Sequence, residues 1–287
     1  MTYSKKPEWL KKRLNLPGVL AMKEKLRGLT LHTVCEEAKC PNLTECFSKG
    51  VATVMIMGDI CTRSCKFCAV KTGRPMALDP NEPKNVAEWV SKLRLKHLVI
   101  TSVDRDDLED LGSTHFAQTI IEVKISSPTS IIEVLTPDFQ GKSEYIDKVC
   151  QAEPKIFNHN LETVERLTPQ VRSAAKYRKS LSVLKWVKEN YSHQITKSGL
   201  MLGLGETREE VHKTMDDLLG NGCDMLTLGQ YLQPTPKHLP VIEYIHPDQF
   251  ESYKKTAQEK GFKAVFSGPF VRSSYLADEI YEQNFQV

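Results

Sequence analysis

Short runs of β-branched and other apolar residues alternate along the chain with longer stretches of helical periodicity. Each short run ends in a polar loop, which is typical of a buried strand that meets solvent at its carboxyl end. We predict strands over residues 51–57, 97–101, 130–135, 155–157, 199–204 and 224–228. The hydrophobic pattern therefore predicts strands and helices in regular alternation.

Two of the stretches between the strands carry an apolar stripe at helical spacing. The stripes consist of Val86, Trp89, Val90 and Leu93 in the first stretch, and of Val211, Met215, Leu218 and Leu219 in the second. The second helix has clear ends, because Thr207 and Glu210 match a capping box and Gly220-Asn221-Gly222 can stop the helix. Both stripes predict helices that bury one face.

Six strand–helix units in succession imply parallel strands joined by right-handed crossovers. We therefore predict an α/β fold built around a barrel or a partial barrel. In that architecture the functional residues lie at the carboxyl ends of the strands.

Six of the eight cysteines fall in two tight triplets: Cys35, Cys40 and Cys46, followed by Cys61, Cys65 and Cys68. The second triplet, with the spacing Cys-x3-Cys-x2-Cys, places three thiolates on one short loop after the first predicted strand. Three thiolates can hold three irons of a cubane cluster and leave the fourth iron without a cysteine. The first triplet also supplies three ligands where a closed structural site has four. The spacing indicates metal binding and favours two iron–sulfur clusters.

Zinc and disulfides are the alternatives for these cysteines. Cys65 and Cys68 form the Cys-x2-Cys pair of many structural zinc sites, but neither triplet has a fourth cysteine or histidine at zinc-finger spacing. A disulfide framework is disfavoured because 287 residues with 40% hydrophobic content can bury a core without cross-links. Cys150 and Cys223 stand apart at the ends of apolar runs and are predicted to be buried core thiols.

Charge and hydropathy exclude two classes of partner. The formal net charge is +3, from 39 basic and 36 acidic residues, so the chain lacks the overall basic character of a nucleic-acid-binding protein. The first 27 residues are locally basic, which predicts a solvated arm or, alternatively, a docking site for an acidic partner. No apolar run approaches the roughly 18 residues of a membrane span, and the N-terminus lacks the apolar stretch of a signal peptide. We expect a soluble cytoplasmic protein with no membrane partner.

The second triplet stands in the segment Cys61-Thr62-Arg63-Ser64-Cys65-Lys66-Phe67-Cys68. This segment resembles the signature of the radical S-adenosylmethionine (radical SAM) superfamily, including the aromatic residue before the last cysteine. That superfamily has a full or partial βα barrel, in agreement with the predicted strands. The resemblance implies a partial (β/α)6 TIM-type barrel with N- and C-terminal extensions, and an open-iron cluster at the mouth of the barrel.

Further segments, from about residue 30 to residue 280, resemble the lipoyl synthase family of that superfamily. They are the first triplet in Val34-Cys35-Glu36-Glu37-Ala38-Lys39-Cys40-Pro41-Asn42, the loop 101–108, the segment 158–163, the turn 203–207 and the ending Arg272-Ser273-Ser274-Tyr275. The resemblance implies an N-terminal extension at 1–50 that carries the auxiliary-cluster cysteines. It further implies a barrel at 51–245 and a C-terminal extension at 246–287 that carries a serine ligand.

The resemblance also implies a reaction. Enzymes of this family are sulfurtransferases of lipoate biosynthesis and protein lipoylation that insert two sulfur atoms at C6 and C8 of an octanoyl chain on a carrier-protein lysine. Their cofactors are S-adenosyl-L-methionine and two 4Fe–4S clusters. Carried over to this chain, the cluster that binds S-adenosylmethionine is held by Cys61, Cys65 and Cys68. The auxiliary cluster that donates sulfur is held by Cys35, Cys40, Cys46 and Ser274, with Ser273 as the other candidate for the serine.

Five residues are expected to contact the cofactor: Phe67, Ser102, Asn158, Asn160 and Glu162. Asn158, Asn160 and Glu162, which follow the fourth predicted strand, could instead bind the substrate amide, and Phe67 could instead shield the cluster. The acidic loop after the second strand could instead be a self-paired surface loop, and a histidine at His159 is more often a packed residue. Gly203-Leu204-Gly205 does not continue into a dinucleotide-binding motif, because Arg208 occupies the position of the last glycine. A tight strand-to-helix turn explains the two glycines.

The implied partners are an octanoylated lipoyl carrier, either a glycine-cleavage H protein or an E2 lipoyl domain, a ferredoxin- or flavodoxin-type electron donor, and an iron–sulfur assembly or carrier protein. Two alternatives remain open at this point. A biotin synthase-like enzyme also inserts sulfur at unactivated carbon, although its auxiliary ligands are expected along the barrel strands. A non-enzymatic iron–sulfur carrier normally closes each cluster with four ligands on a small scaffold.

Overall fold

The computed structural model describes residues 6–11, 31–33, 40, 42, 45–46 and 53–274. The strands within these ranges are β1 (His32–Thr33), β2 (Thr53–Ile56), β3 (Ile60–Cys61), β4 (Lys71–Thr72), β5 (His97–Ser102), β6 (Ile131–Leu135), β7 (Ile156–Asn158), β8 (Ile195–Leu202), β9 (Met225–Gln230) and β10 (Ala264–Gly268). The main sheet has the order β1-β2-β5-β6-β7-β8-β9-β10, and β3 pairs with β4 in a second, small sheet. All neighbours in the main sheet are parallel except β1, which runs antiparallel to β2.

Helices connect the parallel strands. The α-helices with bounds in the described ranges are α1 (Glu82–Leu93), α2 (Ser113–Ser126), α3 (Ser143–Gln151), α4 (Thr168–Val171), α5 (Tyr177–Asn190), α6 (Arg208–Gly220) and α7 (Pro247–Lys260). Short 3-10 turns lie at Glu8–Leu10, Phe139–Gly141 and Glu165–Leu167. Among the residues described, no helix is both long enough and apolar enough to cross a membrane.

Both predicted helix stripes are confirmed, because α1 and α6 bury the expected faces. Val86, Trp89 and Val90 are buried in α1, and Val211, Met215 and Leu218 are buried in α6. The capping box of α6 is also present. Thr207 Oγ1 accepts a hydrogen bond from the Glu210 N–H, and Glu210 Oε2 accepts one from the Thr207 N–H at 2.8 Å. The start of α6 is therefore fixed by its own local sequence.

The α/β fold with a partial barrel is confirmed, and each of the six predicted strands is present. The largest difference in extent is in β8, which begins at Ile195 instead of at residue 199. Thr196 and Lys197 interrupt the apolar run at this point, although both side chains are fully buried. Thr196 Oγ1 lies 3.0 Å from Asp224 Oδ2, and Lys197 pairs with Glu133, so polar partners replace apolar neighbours in the strand.

The main sheet contains a seventh parallel strand that the sequence pattern did not predict. β10 pairs with β9 after the helix α7, so one more strand–helix unit continues the barrel beyond six. The strand consists of Ala264, Val265, Phe266, Ser267 and Gly268, of which only the first three are apolar. The barrel therefore continues into the region 246–287 that was expected to be a C-terminal extension.

Side chains inside the barrel form layers, because alternate residues of a strand point to the same face. The apolar layer near the amino ends of the strands comprises Ile156, Ile195, Met225 and Ala264. Two residues further along β6 and β8, Glu133 and Lys197 form a fully buried ion pair with an Nζ–Oε1 distance of 2.8 Å. The next residues on the same face, Leu135 and Gly199, line the cavity described below. A charged layer thus separates the apolar floor from the site.

Candidate functional site

A cavity of about 510 Å³ lies at the carboxyl ends of the parallel strands. Its wall includes all three cysteines of the second triplet, Cys40 of the first triplet and the serine pair of the C-terminal segment: Cys61, Cys65, Cys68, Cys40, Ser273 and Ser274. The cavity therefore brings together residues from both ends of the chain and from the loop after the first barrel strand.

The loop of the second triplet is closed by short-range contacts. Cys61 ends the short strand β3, and the Gly73 N–H donates to its carbonyl at 3.0 Å, next to the pairing of β3 with β4. A further turn forms where the Cys68 N–H donates to the Cys65 carbonyl at 3.1 Å. These contacts fold the loop back on itself, so that three sulfur atoms spaced over eight residues line one cavity.

Two other segments hold the same loop from outside. The Lys66 N–H donates to the carbonyl of Val171 at 3.0 Å, and the Leu239 N–H donates to the carbonyl of Lys66 at 3.2 Å. His238 Nε2 lies 2.9 Å from the carbonyl oxygen of Cys68, so this nitrogen carries the proton and donates it. The cysteine loop is thus positioned by main-chain contacts with segments more than 100 residues later in the chain.

Arg63 joins the cysteine loop to the loops after β5 and β6. Its side chain is 8% exposed, and Nε and Nη2 contact the Asp106 carboxylate at 2.7 and 2.8 Å. Nη2 also donates to Asp138 Oδ1 at 2.9 Å, and Nη1 lies 3.3 Å from Asp104 Oδ1. The acidic loop is therefore only partly self-paired, through Arg105 and Asp107, while Asp104 and Asp106 face Arg63.

The surroundings of the sulfur atoms favour protonated thiols over free thiolates. Burial raises the pKa of Cys65 to about 12 and the pKa of Cys68 to about 11. Metal ions must therefore displace protons from these thiols, which makes metal affinity depend on pH. Cys61 Sγ accepts main-chain N–H groups of Asp104 and Arg63 at 3.3 and 3.4 Å. Such N–H contacts to cysteine sulfur tune the reduction potential of an iron–sulfur cluster.

The wall of the cavity fits a polar ligand beside a multi-iron cluster. Ser102 Oγ, Thr136 Oγ1 and Asn160 Oδ1 are buried there without a hydrogen-bond partner among the described residues. Buried polar atoms are almost always paired, so these three oxygens suit a ligand that completes them. Within the described ranges, no three His, Cys, Asp or Glu side chains converge on a single metal ion. The three thiols of the second triplet all line this one cavity, as a shared cluster requires.

The C-terminal segment reaches the first triplet across the barrel. Asn42 Nδ2 donates to the carbonyl of Phe270 at 2.6 Å, and the Cys46 N–H donates to the carbonyl of Asn42 at 2.9 Å. The segment also crosses β9 so closely that a methyl group at Gly229 would collide with the Val271 carbonyl oxygen. Only glycine leaves room for this approach. The close passage holds the serine pair at the cavity.

The structure brings some of the predicted auxiliary-cluster ligands together and leaves others apart. Cys40, Ser273 and Ser274 all line the cavity. Cys46 is half-buried nearby but is not part of the cavity wall. Cys35 lies outside the described residues. Because both serines line the wall, the choice between Ser274 and Ser273 stays a prediction.

Four of the five predicted cofactor contacts line the cavity, namely Phe67, Ser102, Asn160 and Glu162. Asn158 does not. Its side chain is fully buried, and Nδ2 donates to Glu133 Oε1 at 3.0 Å. Asn158 therefore belongs to the charged layer beneath the cavity, because its position on β7 is one layer below the open end of the barrel. The sequence predicted cofactor contacts for both Asn158 and Asn160, but the two side chains lie at different depths in the barrel.

His159 is a packed histidine, as expected. Its Nδ1 lies 2.9 Å from the Thr136 carbonyl oxygen and its Nε2 lies 2.9 Å from Ser180 Oγ. Burial and the positive charge of Arg172 lower the pKa of His159 to about 4. The imidazole is therefore neutral at physiological pH and acts in packing.

Two arginines of the cavity wall were missed by the sequence analysis. Arg172 Nη1 donates to the carbonyls of Asn160 and Leu161 at 2.8 and 3.1 Å. Burial raises the pKa of Glu162, and the charge of Arg172 opposes this shift. Arg272 is half-buried near Glu162, and its partial burial lowers its pKa. The sequence carries a signal for Arg272, because it directly precedes the serine pair, whereas no motif marks Arg172.

Glu162 also has an unusual backbone conformation. Its φ of 66° lies in the left-handed region, which residues other than glycine seldom adopt. The bridge between Glu162 and Leu200 of β8 holds this conformation, through the Glu162 N–H to the Gly199 carbonyl at 2.9 Å. Strained residues of this kind cluster at ligand sites, which suits the place of Glu162 in the cavity wall.

Comparison with known proteins agrees with this fold and site. The profile of the radical SAM superfamily matches residues 55–218. A crystal structure of methylornithine synthase superposes with a TM-score of 0.54 at 13% identity, covering 78% of this chain and 75% of that one, which shows a shared fold. The chain is a member of the radical SAM superfamily.

Relatives and a second profile define the family more narrowly. The profile for the N-terminal domain of lipoyl synthase matches residues 2–40. A lipoyl synthase of Bacteroides fragilis is 55% identical over 276 residues, 96% of this chain and 95% of the relative. A lipoyl synthase of Hahella chejuensis is 56% identical over 277 residues, 96% of this chain and 83% of the relative. This chain belongs to the lipoyl synthase family, and the resemblance found in its sequence is confirmed.

Proposed function

We propose that this protein is a lipoyl synthase that uses S-adenosyl-L-methionine and two 4Fe–4S clusters. It inserts two sulfur atoms, at C6 and C8, into an octanoyl chain carried on a lysine of a lipoyl carrier protein. The family membership supports the activity, and one structural observation carries it. Thiols from both cysteine triplets and the C-terminal serines line a single cavity at the mouth of the barrel.

Cys61, Cys65 and Cys68 would hold the cluster that binds S-adenosylmethionine. When bound, the cluster and S-adenosylmethionine supply the one-electron chemistry needed to remove hydrogen from unactivated carbon, which acid–base groups cannot do. The protein positions these groups and excludes water. Arg63 and the carboxylates around it fix the cysteine loop, because the guanidinium contacts two other loops at once, those after β5 and β6.

The polar side of the cavity would hold S-adenosylmethionine. Ser102, at the end of β5, and Asn160 and Glu162, just after β7, offer a hydroxyl, an amide and a carboxylate, and the oxygens of Ser102 and Asn160 lack partners among the described residues. Phe67 adds an aromatic ring to the same wall. Because these groups include charged, polar and aromatic surfaces, they match a ligand with an amino acid portion and a nucleoside portion.

The auxiliary cluster would be held by Cys35, Cys40, Cys46 and Ser274. A serine oxygen is a harder ligand than a thiolate and suits iron less well, so it can leave as the cluster gives up sulfur. Two domain assignments accompany this proposal. The cysteines come from the N-terminal part, 1–50, and the serine comes from the C-terminal part, 246–287, which also adds the strand β10 to the barrel assigned to 51–245.

The carrier would be an octanoylated glycine-cleavage H protein or E2 lipoyl domain, with an iron–sulfur assembly protein to rebuild the auxiliary cluster and a ferredoxin- or flavodoxin-type electron donor. Lys6, from the basic N-terminal segment, is exposed and forms part of the cavity wall. Leu10 of the same segment is buried, and Trp9 stacks edge-on against His246 with ring centroids 5.0 Å apart. This part of the arm therefore packs beside the cavity, where it could contact the carrier.

The proposal is tested by anaerobic reconstitution. Two four-iron clusters require about eight irons per chain. Replacing Cys61, Cys65 and Cys68 together by alanine should leave about four irons and abolish cleavage of S-adenosylmethionine. Replacing Cys150 and Cys223 by alanine is the matched control, because both thiols are buried away from the cavity, and it should leave the iron content unchanged. Reductive cleavage by the triple variant would show that the site is assigned wrongly.

A further inference from the structure

Three segments meet at the cysteine loop. They are residues 62–72, 169–179 and 230–242, and they are joined through the main chain of Lys66 and Cys68. The Lys66 N–H donates to the Val171 carbonyl, the Lys66 carbonyl accepts from the Leu239 N–H, and His238 donates to the Cys68 carbonyl. The three segments therefore form one continuous surface over the second triplet.

This surface carries charge of one sign. None of the three segments contains an aspartate or a glutamate, although the chain has 36 acidic residues. Several of their cations are already paired: Arg63 with three aspartates, Lys71 with Asp59, and Arg178 with Glu165. Lys66, Lys176 and Lys237 are exposed, and the described residues offer them no ion-pair partner. We call these three lysines the basic face.

The lysines of the basic face do not line the cavity, although Phe67, Arg172 and Gln233 of the same three segments do. Cys65 and Cys68 contribute to the cavity wall, whereas Ser64 and Lys66 in the same loop are exposed. The loop is therefore a thin wall between the cavity and solvent. A cluster held by these cysteines would lie directly behind the basic face.

The carrier and the electron donor need different surfaces of the protein. The octanoyl-lysine of the carrier has to enter the cavity, whose wall includes Lys6 and the serine pair. An electron donor does not need to enter, because an electron can cross a thin protein wall. A donor that approaches through the basic face does not compete with the carrier for the cavity.

We propose that the basic face is the docking surface for the electron donor, an acidic one-electron carrier protein of the flavodoxin type. This inference rests on the proposed function. In each encounter the donor loses one electron and the iron–sulfur site behind the wall gains one. Transient redox complexes have small interfaces, and complementary charge mainly speeds their association. The three lysines of the basic face have no ion-pair partner among the described residues, so their positive charge can attract an acidic protein.

The test compares two reductants on one pair of variants. Lys176→Glu/Lys237→Glu reverses two charges of the basic face outside the cysteine motif. Lys96→Glu/Lys155→Glu is the matched control, since both lysines are exposed and lie just before β5 and β7, at the opposite end of the barrel. The readout is the initial rate of 5'-deoxyadenosine formation without carrier. The reductants are an acidic flavodoxin in its hydroquinone form and photoreduced 5-deazariboflavin, an uncharged small molecule.

With flavodoxin at low salt, the basic-face variant should show about a tenfold lower kcat/KM for the donor, as expected when electrostatic steering is lost. The difference should vanish at about 1 M salt, where the Debye length is about 3 Å. With 5-deazariboflavin the variant should match the wild type. The control pair should match the wild type with both reductants.

Other results overturn the proposal. Wild-type kinetics with flavodoxin would mean that the donor docks elsewhere. An equal loss with both reductants, repeated in Lys176→Gln/Lys237→Gln, would mean that these lysines affect the site and not docking. A loss seen only when octanoylated H protein is the substrate would assign the face to the carrier. A wild-type enzyme that cleaves no S-adenosylmethionine with either reductant would instead contradict the proposed function.

Discussion

Arg63 Nη2 donates a hydrogen bond to Asp138 Oδ1 at 2.9 Å, across 75 residues of sequence. Arg63 stands between the first two cysteines of the second triplet, and Asp138 follows the strand β6. Asp138 is only 1% exposed, so this is a buried, charge-assisted contact. It fixes the cysteine loop to the body of the barrel.

We expect Arg63→Ala to weaken both the fold and the metal site. Removing one partner of a buried ion pair typically costs about 3 kcal/mol, because the remaining charge is left buried and unpaired. The variant should show that loss in the free energy of unfolding and should release iron to a chelator faster than the wild type. Arg166→Ala is the control, since the pair of Arg166 with Glu210 is exposed and is expected to contribute little to the free energy of unfolding. Equal losses of unfolding free energy in the two variants would contradict the role of Arg63 in fixing the cysteine loop.

The two triplets should have separable roles. Replacing Cys35, Cys40 and Cys46 by alanine should retain 5'-deoxyadenosine formation, because the second triplet is intact, but should give no lipoyl product. The measurement is chromatography of 5'-deoxyadenosine together with mass spectrometry of the carrier. Lipoyl product at the wild-type yield would exclude the first triplet as the sulfur source.

The serine pair can be resolved by exchanging the ligand atom. Ser274→Cys should retain the auxiliary cluster, because thiolate is the softer and stronger ligand for iron, while sulfur insertion falls because that ligand leaves less easily. Ser273→Ala should leave both properties near those of the wild type. Iron content and lipoyl yield are measured side by side. Wild-type yield from Ser274→Cys together with loss in Ser273→Ala would assign the ligand to Ser273.

Lys197→Met should destabilise the protein, because Lys197 and Glu133 of the charged layer beneath the cavity depend on each other. Although burial raises the pKa of Glu133, Lys197 and His97 lower it to about 2, so Glu133 is ionised at neutral pH. Loss of Lys197 leaves this carboxylate unpaired and should cost about 3 to 5 kcal/mol of the free energy of unfolding. The double variant Lys197→Met/Glu133→Leu should recover much of that loss. Additive effects in the double-mutant cycle would show that the two side chains do not interact.

Acid should destabilise the protein in part through His159. Its pKa is lowered to about 4 by burial and by Arg172, whereas an unfolded histidine titrates near about 6.5. Between these values the unfolded state binds a proton that the folded state does not, so stability falls as the pH falls from about 6.5 towards about 4, by at most about 1.4 kcal/mol per pH unit. His159→Gln should remove this contribution to the pH dependence of the free energy of unfolding, which is measured from urea unfolding curves at several pH values. His193→Gln, at an exposed histidine, should leave the slope unchanged, and a similar change in both would argue against the assignment.

Most of the barrel was predictable because its pattern is local. Strands such as β5 and β6 alternate with α1 and α3, and each element shows its own apolar run or stripe. β10 was missed because its five residues become a strand only by pairing with β9. The start of β8 was misplaced because the burial of Lys197 depends on Glu133, which lies 64 residues away.

The sequence by itself determined the kind of chemistry. Three thiols within eight residues must lie close together whatever the fold, so Cys61, Cys65 and Cys68 were identifiable from spacing alone. Only the tertiary structure decided which other groups face them. Arg172 lies in the cavity wall, although no motif predicted it, and Asn158 lies in the layer below the cavity. Strand register and the packing of distant loops set the depth and direction of each side chain. Those are long-range properties that no local pattern in the sequence encodes.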